Sequence, residues 1–222
     1  MKVGIISPIK TLRKYCTTNI QYALPKLLVD SKEYREFYQE QSERGNYLIL
    51  DTCKVGWKRE PEDFSIIGKA LTLVHPSLII TPSYMYNLKK TLEVVKDFLH
   101  SFTPNAVAGC LEGTSQEEIL TCVRELNIPK VTTLAIPSHL YRIQSEVNHN
   151  GLTIYLENHL NVEELDSLDG ILVTSLPVRL GLQGRFLSDY LPSPLSLTFY
   201  EEDKFPEVIK RNIDETVRFY EE

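Results

Sequence analysis

Carboxylates and hydroxyls stand directly after several short apolar runs of this chain. In a parallel α/β protein these are the positions from which ligands are held and chemistry is done. Asp51 ends the run Tyr47–Asp51, Ser83 follows Ser77–Thr81, Glu112 and Gly113 follow Ala106–Cys110, and Pro137 follows Val131–Ile136. A carboxylate at the end of a buried run is costly unless donors face it. Asp51 therefore reads either as a cap or turn residue or as a reader of a ligand edge and general acid. Glu112 reads the same way, and Gly113 either lets backbone approach a ligand or opens the turn into the next helix. His139 and His159 are acid–base groups by type, with no nucleophile paired to them. The sequence holds no G-x-S-x-G, no P-loop and no H-E-x-x-H, which argues against a serine hydrolase, a P-loop kinase and a zincin.

The same loops gather bases: Lys10, Arg13, Lys14, Lys54, Lys58, Arg59, Arg142, Arg179 and Arg185. On one rim they would focus a positive potential suited to phosphate, whereas as ordinary loop residues they would simply be solvated. Lys54 and Arg179 are the two that the strand-end pattern places as anion contacts.

These positions need a scaffold of repeated strand and helix. Seven apolar runs, Val3–Ser7, Tyr47–Asp51, Ser77–Thr81, Ala106–Cys110, Val131–Ile136, Leu152–Leu156 and Gly170–Thr174, have the continuous apolar character of buried parallel strands. Between them, Ser115 with Glu118 and Asn161 with Glu164 have capping-box spacing. Leu88, Leu92, Val95 and Leu99 form one apolar helix face, and Ile119, Cys122, Val123 and Leu126 another. Leu195–Tyr200 supplies an eighth strand and Phe205–Tyr220 an eighth helix. Eight units favour a closed (β/α)8 TIM-type barrel over an open doubly wound sheet. Residues 1–222 then form a single compact domain with an acidic closing strand and helix at 195–222.

Composition sets the outer bounds. The chain has 222 residues, 42% of them hydrophobic and 24% charged, which suits a globular protein rather than a disordered one. Its 24 Lys and Arg against 30 Asp and Glu give a net charge of −6, which argues against a basic coat for non-specific nucleic-acid binding. Residues 200–222 carry eight acids against four bases, so most of the net charge lies in the closing segment. Cys16, Cys53, Cys110 and Cys122 form no C-x-x-C pair, so neither a metal site nor a redox motif is expected, and no cofactor is required. No signal-peptide pattern follows Met1 and no run reaches membrane-spanning length, so a cytoplasmic protein that does not engage a membrane is expected.

Taken in order, the strand ends resemble the queuine and archaeosine tRNA-ribosyltransferase superfamily, the tRNA-guanine transglycosylases, over most of the chain. The likeness is to its short phage and defence-island members. Leu48-Ile-Leu-Asp51-Thr is similar to the second-strand stretch whose aspartate faces the bound base. Ala108-Gly-Cys-Leu-Glu112-Gly113 resembles the Gly-x-x-Gln-Gly turn, and Ala135-Ile-Pro137 the Ala-Ile-Gly turn. Leu172-Val-Thr-Ser-Leu-Pro177-Val-Arg179 resembles the seventh-strand stretch that carries the nucleophilic aspartate.

The resemblance implies a barrel that binds guanine or a 7-deazaguanine and works on nucleic acid, with Asp51 as base reader and general acid and Ser83, Glu112, Gly113 and Pro137 around the base. The departures are specific. The nucleophile position is Val173, a third-strand aspartate is replaced near Ser83, Gln is replaced by Glu112, and no Cys follows Cys122 to build the zinc site. Valine cannot hold a sugar covalently while bases exchange. What is expected is a pseudoenzyme: a binding or accessory subunit in nucleic-acid modification or antiviral defence, with a protein partner or a second copy. An active transglycosylase inserting a 7-deazaguanine, and a barrel binding a phosphorylated metabolite, are the alternatives.

Overall fold

The computed structural model describes residues 2–54, 59–137, 140, 171–174 and 205–221. The strands are β1 (Lys2–Ile5), β2 (Ile20–Ala23), β3 (Tyr47–Asp51), β4 (Leu78–Ile80), β5 (Val107–Cys110), β6 (Val131–Ala135) and β7 (Ile171–Thr174). The helices are α1 (Leu12–Tyr15), α2 (Pro25–Asp30), α3 (Lys32–Glu43), α4 (Phe64–Leu73), α5 (Leu88–Ser101), α6 (Gln116–Leu126) and α7 (Pro206–Glu221). The strands lie in the sheet order β6-β5-β4-β3-β2-β1-β7. The pairings β1–β2, β1–β7, β3–β4, β4–β5 and β5–β6 are all parallel.

This order corrects the expectation of a closed (β/α)8 barrel. A barrel has no edge strand, whereas here β6 and β7 end the sheet and do not pair with each other among the described residues. Thr133 and Leu134 of β6 are exposed, Leu134 at 37%, as on an edge. One strand was not expected at all. β2 is four residues with a buried Gln21 at its second position, so neither an apolar run nor a clean alternation announces it. The expected strands at Leu152–Leu156 and Leu195–Tyr200, and the cap at Asn161 and Glu164, lie outside the described residues.

Contacts divide the chain into two compact units: Met1–Tyr22 with Ser31–Leu48 and Leu168–Glu222, and Ala23–Asp30 with Ile49–Ser167. In the first, Val3 and Ile5 of β1 and Tyr15 of α1 pack with Ile209 and Ile213 of α7. The acidic closing helix therefore keeps one buried apolar face, as its sequence spacing requires. A Cβ at Gly4 would stand 2.9 Å from Cγ2 of Ile20, so only glycine lets β1 and β2 approach this closely. Tyr34, Phe37 and Tyr38 of α3 form a ring cluster with centroids 4.6 and 4.9 Å apart, and the Tyr38 hydroxyl donates to the Tyr22 carbonyl at 2.6 Å.

In the second unit α5 buries Val95, Phe98 and Leu99, and α6 buries Ile119, Cys122 and Leu126. Phe64, Phe98 and Phe102 stack edge-on or tilted around the start of α4 and the end of α5. Ser115 caps α6 by accepting from the Glu118 amide at 3.3 Å. The reciprocal half of a capping box is displaced by one residue, because the Glu118 carboxylate accepts from the Thr114 amide and hydroxyl, each at 2.7 Å. Among the described residues no helix is long and apolar enough to cross a membrane.

Candidate functional site

Three successive strand ends in the second unit carry polar residues that the interior must satisfy. Asp51 is the last residue of β3, Thr81 follows β4 with Ser83 two residues on, and Glu112 lies two residues beyond β5; all four are buried. Backbone bonds fix the strand ends against one another. Thr52 donates its hydroxyl to the Ile80 carbonyl at 2.7 Å, the Thr81 amide donates to Ala108 at 2.9 Å, and Thr81 Oγ1 accepts from the Cys110 amide at 2.9 Å. Leu111 carries the ladder onward by donating to Ala135 at 2.9 Å.

After Asp51 the chain returns antiparallel to itself through a Cys53–Pro61 bridge, with the Lys54 amide on Glu60 at 2.8 Å and the Glu62 amide on Thr52 at 2.9 Å. This return delivers Arg59. Its Nη1 donates to Asp51 Oδ2 at 2.8 Å and its Nη2 to Oδ1 at 2.7 Å, a bidentate fork. Its Nε donates to Ser83 Oγ at 2.8 Å. With the guanidinium donating to Ser83, the hydroxyl proton is directed to Glu112 Oε1 at 3.0 Å. Glu112 Oε2 accepts from the Tyr86 amide at 3.0 Å, and Asp51 Oδ1 also accepts from the Cys53 amide at 3.2 Å.

The result is a relay from Asp51 through Arg59 and Ser83 to Glu112, with exposure rising from 0% at the Glu112 side chain and 2% at Asp51 to 18% at Arg59. Tyr86, whose amide meets Glu112, is 39% exposed and has φ of 58°. A tyrosine in the left-handed region is uncommon and costs on the order of 1–3 kcal/mol unless its surroundings hold it. The bond from its amide to Glu112 is one such restraint.

Two thiols adjoin the relay. Cys110 Sγ lies 3.4 Å and Cys53 Sγ 3.9 Å from Ser83 Oγ. Burial pushes the Cys110 thiol up to about 11, and burial followed by the Asp51 carboxylate pushes Cys53 up strongly. Both are therefore protonated at neutral pH and poor nucleophiles. All four cysteines are free and buried. Among the described residues no group of three His, Cys, Asp or Glu could hold a metal ion.

Asp51, Ser83 and Glu112 are thus brought together, and the other expected site residues are placed differently. Gly113 faces α6: a Cβ there would meet Glu118 Cβ at 3.0 Å and the Ile119 amide at 3.1 Å, so its small size serves the turn into the helix. Lys54 is half exposed and stands 3.8 Å from Glu60, separate from the relay. Pro137 is half-buried and its carbonyl accepts from the Leu140 amide at 3.0 Å. Val173 lies within β7 in register with Gly4. Arg179, like Lys58, Arg142, Arg185, His139 and His159, lies outside the described residues.

Two of the bases expected on a basic rim already face carboxylates. Arg59 is spent on Asp51, and Arg13 pairs with Glu40 at 2.5 Å. Arg13 also lines a cavity of about 380 Å³ with Asn19, which precedes β2, so it faces the entering end of that strand and not the end where ligands are usually held. Glu40 takes Arg44 as well, which leaves a carboxylate between the two guanidinium groups of that cavity.

Sequence reasoning missed the role of Arg59. The signal was the demand that Asp51, buried at a strand end, have donors facing it; Arg59, eight residues on, is the first fork-shaped donor after it. No protein-family profile matches the chain, and no curated protein matches it.

Proposed function

We propose that the chain binds a guanine-type base, guanine or a 7-deazaguanine, at the Asp51–Ser83–Glu112 cluster. In this reading it serves nucleic-acid modification or antiviral defence as a binding or accessory subunit, beside a protein partner or a second copy, without exchanging bases itself. The observation that carries it is the linkage of two buried carboxylates through one buried hydroxyl at three successive strand ends, Glu112 Oε1 directly at 3.0 Å from Ser83 Oγ and Asp51 by way of Arg59. Guanine presents two adjacent N–H donors on one edge, which a carboxylate accepts in pairs, and adenine does not. Asp51 lies in a stretch that resembles the transglycosylases, and Ser83 and Glu112 stand near positions where that family carries an aspartate and a glutamine, which supports the choice of base. Valine at position 173, where the resemblance calls for the nucleophile, supports loss of exchange.

A phosphorylated ligand is less well supported. Lys54, Arg13 and Arg59 each already face a carboxylate. The test is incubation with labelled 7-deazaguanine in the presence of tRNA or DNA. Reversible binding that is lost in Asp51→Asn, with no label entering nucleic acid and no covalent adduct, is the expected result. A trapped adduct overturns the loss of exchange, and absence of binding overturns the base site.

A further inference from the structure

The Asp51 carboxylate is held by parts of the chain that do not depend on its arginine. Its position is set by the end of β3 and by the Cys53 amide at 3.2 Å, and Glu112 is set by the end of β5 and the Tyr86 amide at 3.0 Å. Ser83 is fully buried between them. The acceptors are therefore fixed in advance, on rigid strand ends. Arg59 is carried instead by the antiparallel return after β3, and it is the most exposed side chain of the relay, at 18%. A side chain of this length can swing about its own rotatable bonds while the acceptors remain in place.

What Arg59 presents to those acceptors is a flat fork: two N–H groups to the two oxygens of Asp51 and a third to Ser83 Oγ. That is also the hydrogen-bonding pattern of a small guanidinium, and of the edge of a 2-aminopurinone base with its ring N–H beside its amino group. We infer that Arg59 is an internal occupant of a recognition site for ligands with two adjacent, coplanar N–H donors. This rests on the reading of Asp51 as a ligand-facing acid, and it adds that such a ligand reaches Asp51 by replacing Arg59 rather than by binding beside it.

Charge sets an order among ligands. Removing the guanidinium leaves two buried carboxylates without the cation that lies within 4.0 Å of both, so a cationic fork replaces it better than a neutral base does. The occupant also lowers apparent affinity, because only the fraction of molecules with Arg59 displaced can bind.

The experiment uses Arg59→Ala in the full chain, with methylguanidinium and 7-deazaguanine as probes, read by thermal shift and by ligand-observed NMR. Methylguanidinium is expected to raise the melting temperature of Arg59→Ala and leave wild type and Arg59→Ala/Asp51→Asn unmoved. 7-Deazaguanine is expected to bind Arg59→Ala about tenfold or more tighter than wild type, as removal of a competing internal contact requires. Folded Arg59→Ala that takes no methylguanidinium, or that binds the base more weakly than wild type, overturns the occupant. Methylguanidinium binding with no binding of the base by either protein supports the occupant and overturns the guanine reading. Should Arg59→Ala not fold, Arg59→Lys keeps the cation without the fork. It is expected to bind the base more tightly than wild type, and equal or weaker binding overturns the inference.

Discussion

Ser83 Oγ stands between Arg59 Nε at 2.8 Å and Glu112 Oε1 at 3.0 Å, accepting from the first and donating to the second. One hydroxyl thereby joins two acids that come from different strand ends. Ser83→Ala leaves a guanidinium N–H and a carboxylate oxygen short of a partner inside the protein. The expected loss is about 1–3 kcal/mol of stability by urea unfolding, with Ser83→Cys unable to restore it because a thiol accepts poorly.

Loss of one member of the ion pair is expected to cost more. Asp51→Ala takes the bidentate partner from Arg59 at a site where that partner is 2% exposed, and removal of one side of such a pair costs about 3–5 kcal/mol. Urea unfolding of Asp51→Ala and Arg59→Ala measures it. The double variant is expected to lose less than the sum of the two, because both single variants break the same two bonds.

Gly113 is expected to matter for the turn and not for the ligand. Gly113→Ala places a methyl 3.0 Å from Glu118 Cβ and 3.1 Å from the Ile119 amide, at the start of α6. Overpacking of this kind costs roughly 1–3 kcal/mol. The folded variant should bind base with unchanged affinity.

Stability should fall on the alkaline side. Burial pushes Cys16 up to about 12 and Cys110 and Cys122 up to about 11, from an ordinary value of 9.0. Between those values the unfolded chain releases protons that the folded chain keeps, so unfolding is increasingly favoured as pH rises from near 9 toward 11. The stability is fully present below pH 9. Each thiol contributes a slope of about 1.4 kcal/mol per pH unit in that window. Urea unfolding between about pH 8 and 10.5 reads the slope, and Cys110→Ala is expected to reduce it by roughly one thiol's share.

Much of the site-bearing framework was legible in the residues. Tyr47–Asp51 is a strand at its full expected length, and Ala106–Cys110 and Val131–Ile136 are strands to within a residue, because continuous apolar stretches of this length suit a sheet covered on both faces. The helix at Phe205–Tyr220 runs Pro206–Glu221 for the related reason that its apolar positions recur at helical spacing. Closure was not legible. Whether the last strand meets the first depends on register and stagger, which no single run encodes. β2 was missed because Gln21, whose side-chain NH2 donates locally to the Cys16 and Thr18 carbonyls, looks polar in sequence while sitting inside.

For the site, Asp51, Ser83 and Glu112 could be chosen from their places after strands, since residues at those places meet in space. Arg59 could not be separated from its basic neighbours by sequence position. In the chain it looks like one more loop cation among Lys54, Lys58 and others, and only the fold shows it turned inward onto a carboxylate. Gly113 was ambiguous for a similar reason: glycine after a strand serves a ligand or a helix start equally well, and the contact with Glu118 and Ile119 decides it.

The most direct measurement is ligand-observed NMR of the wild-type chain and of Glu112→Gln with 7-deazaguanine, with adenine as the control base. Saturation transfer to 7-deazaguanine but not adenine, reduced in Glu112→Gln, is the expected result, because only the first base offers the paired donors that the buried acids at positions 51 and 112 can accept. Equal transfer to both bases, or none to either in the wild type and in Arg59→Ala alike, would contradict the assignment of the cluster as a guanine-type base site.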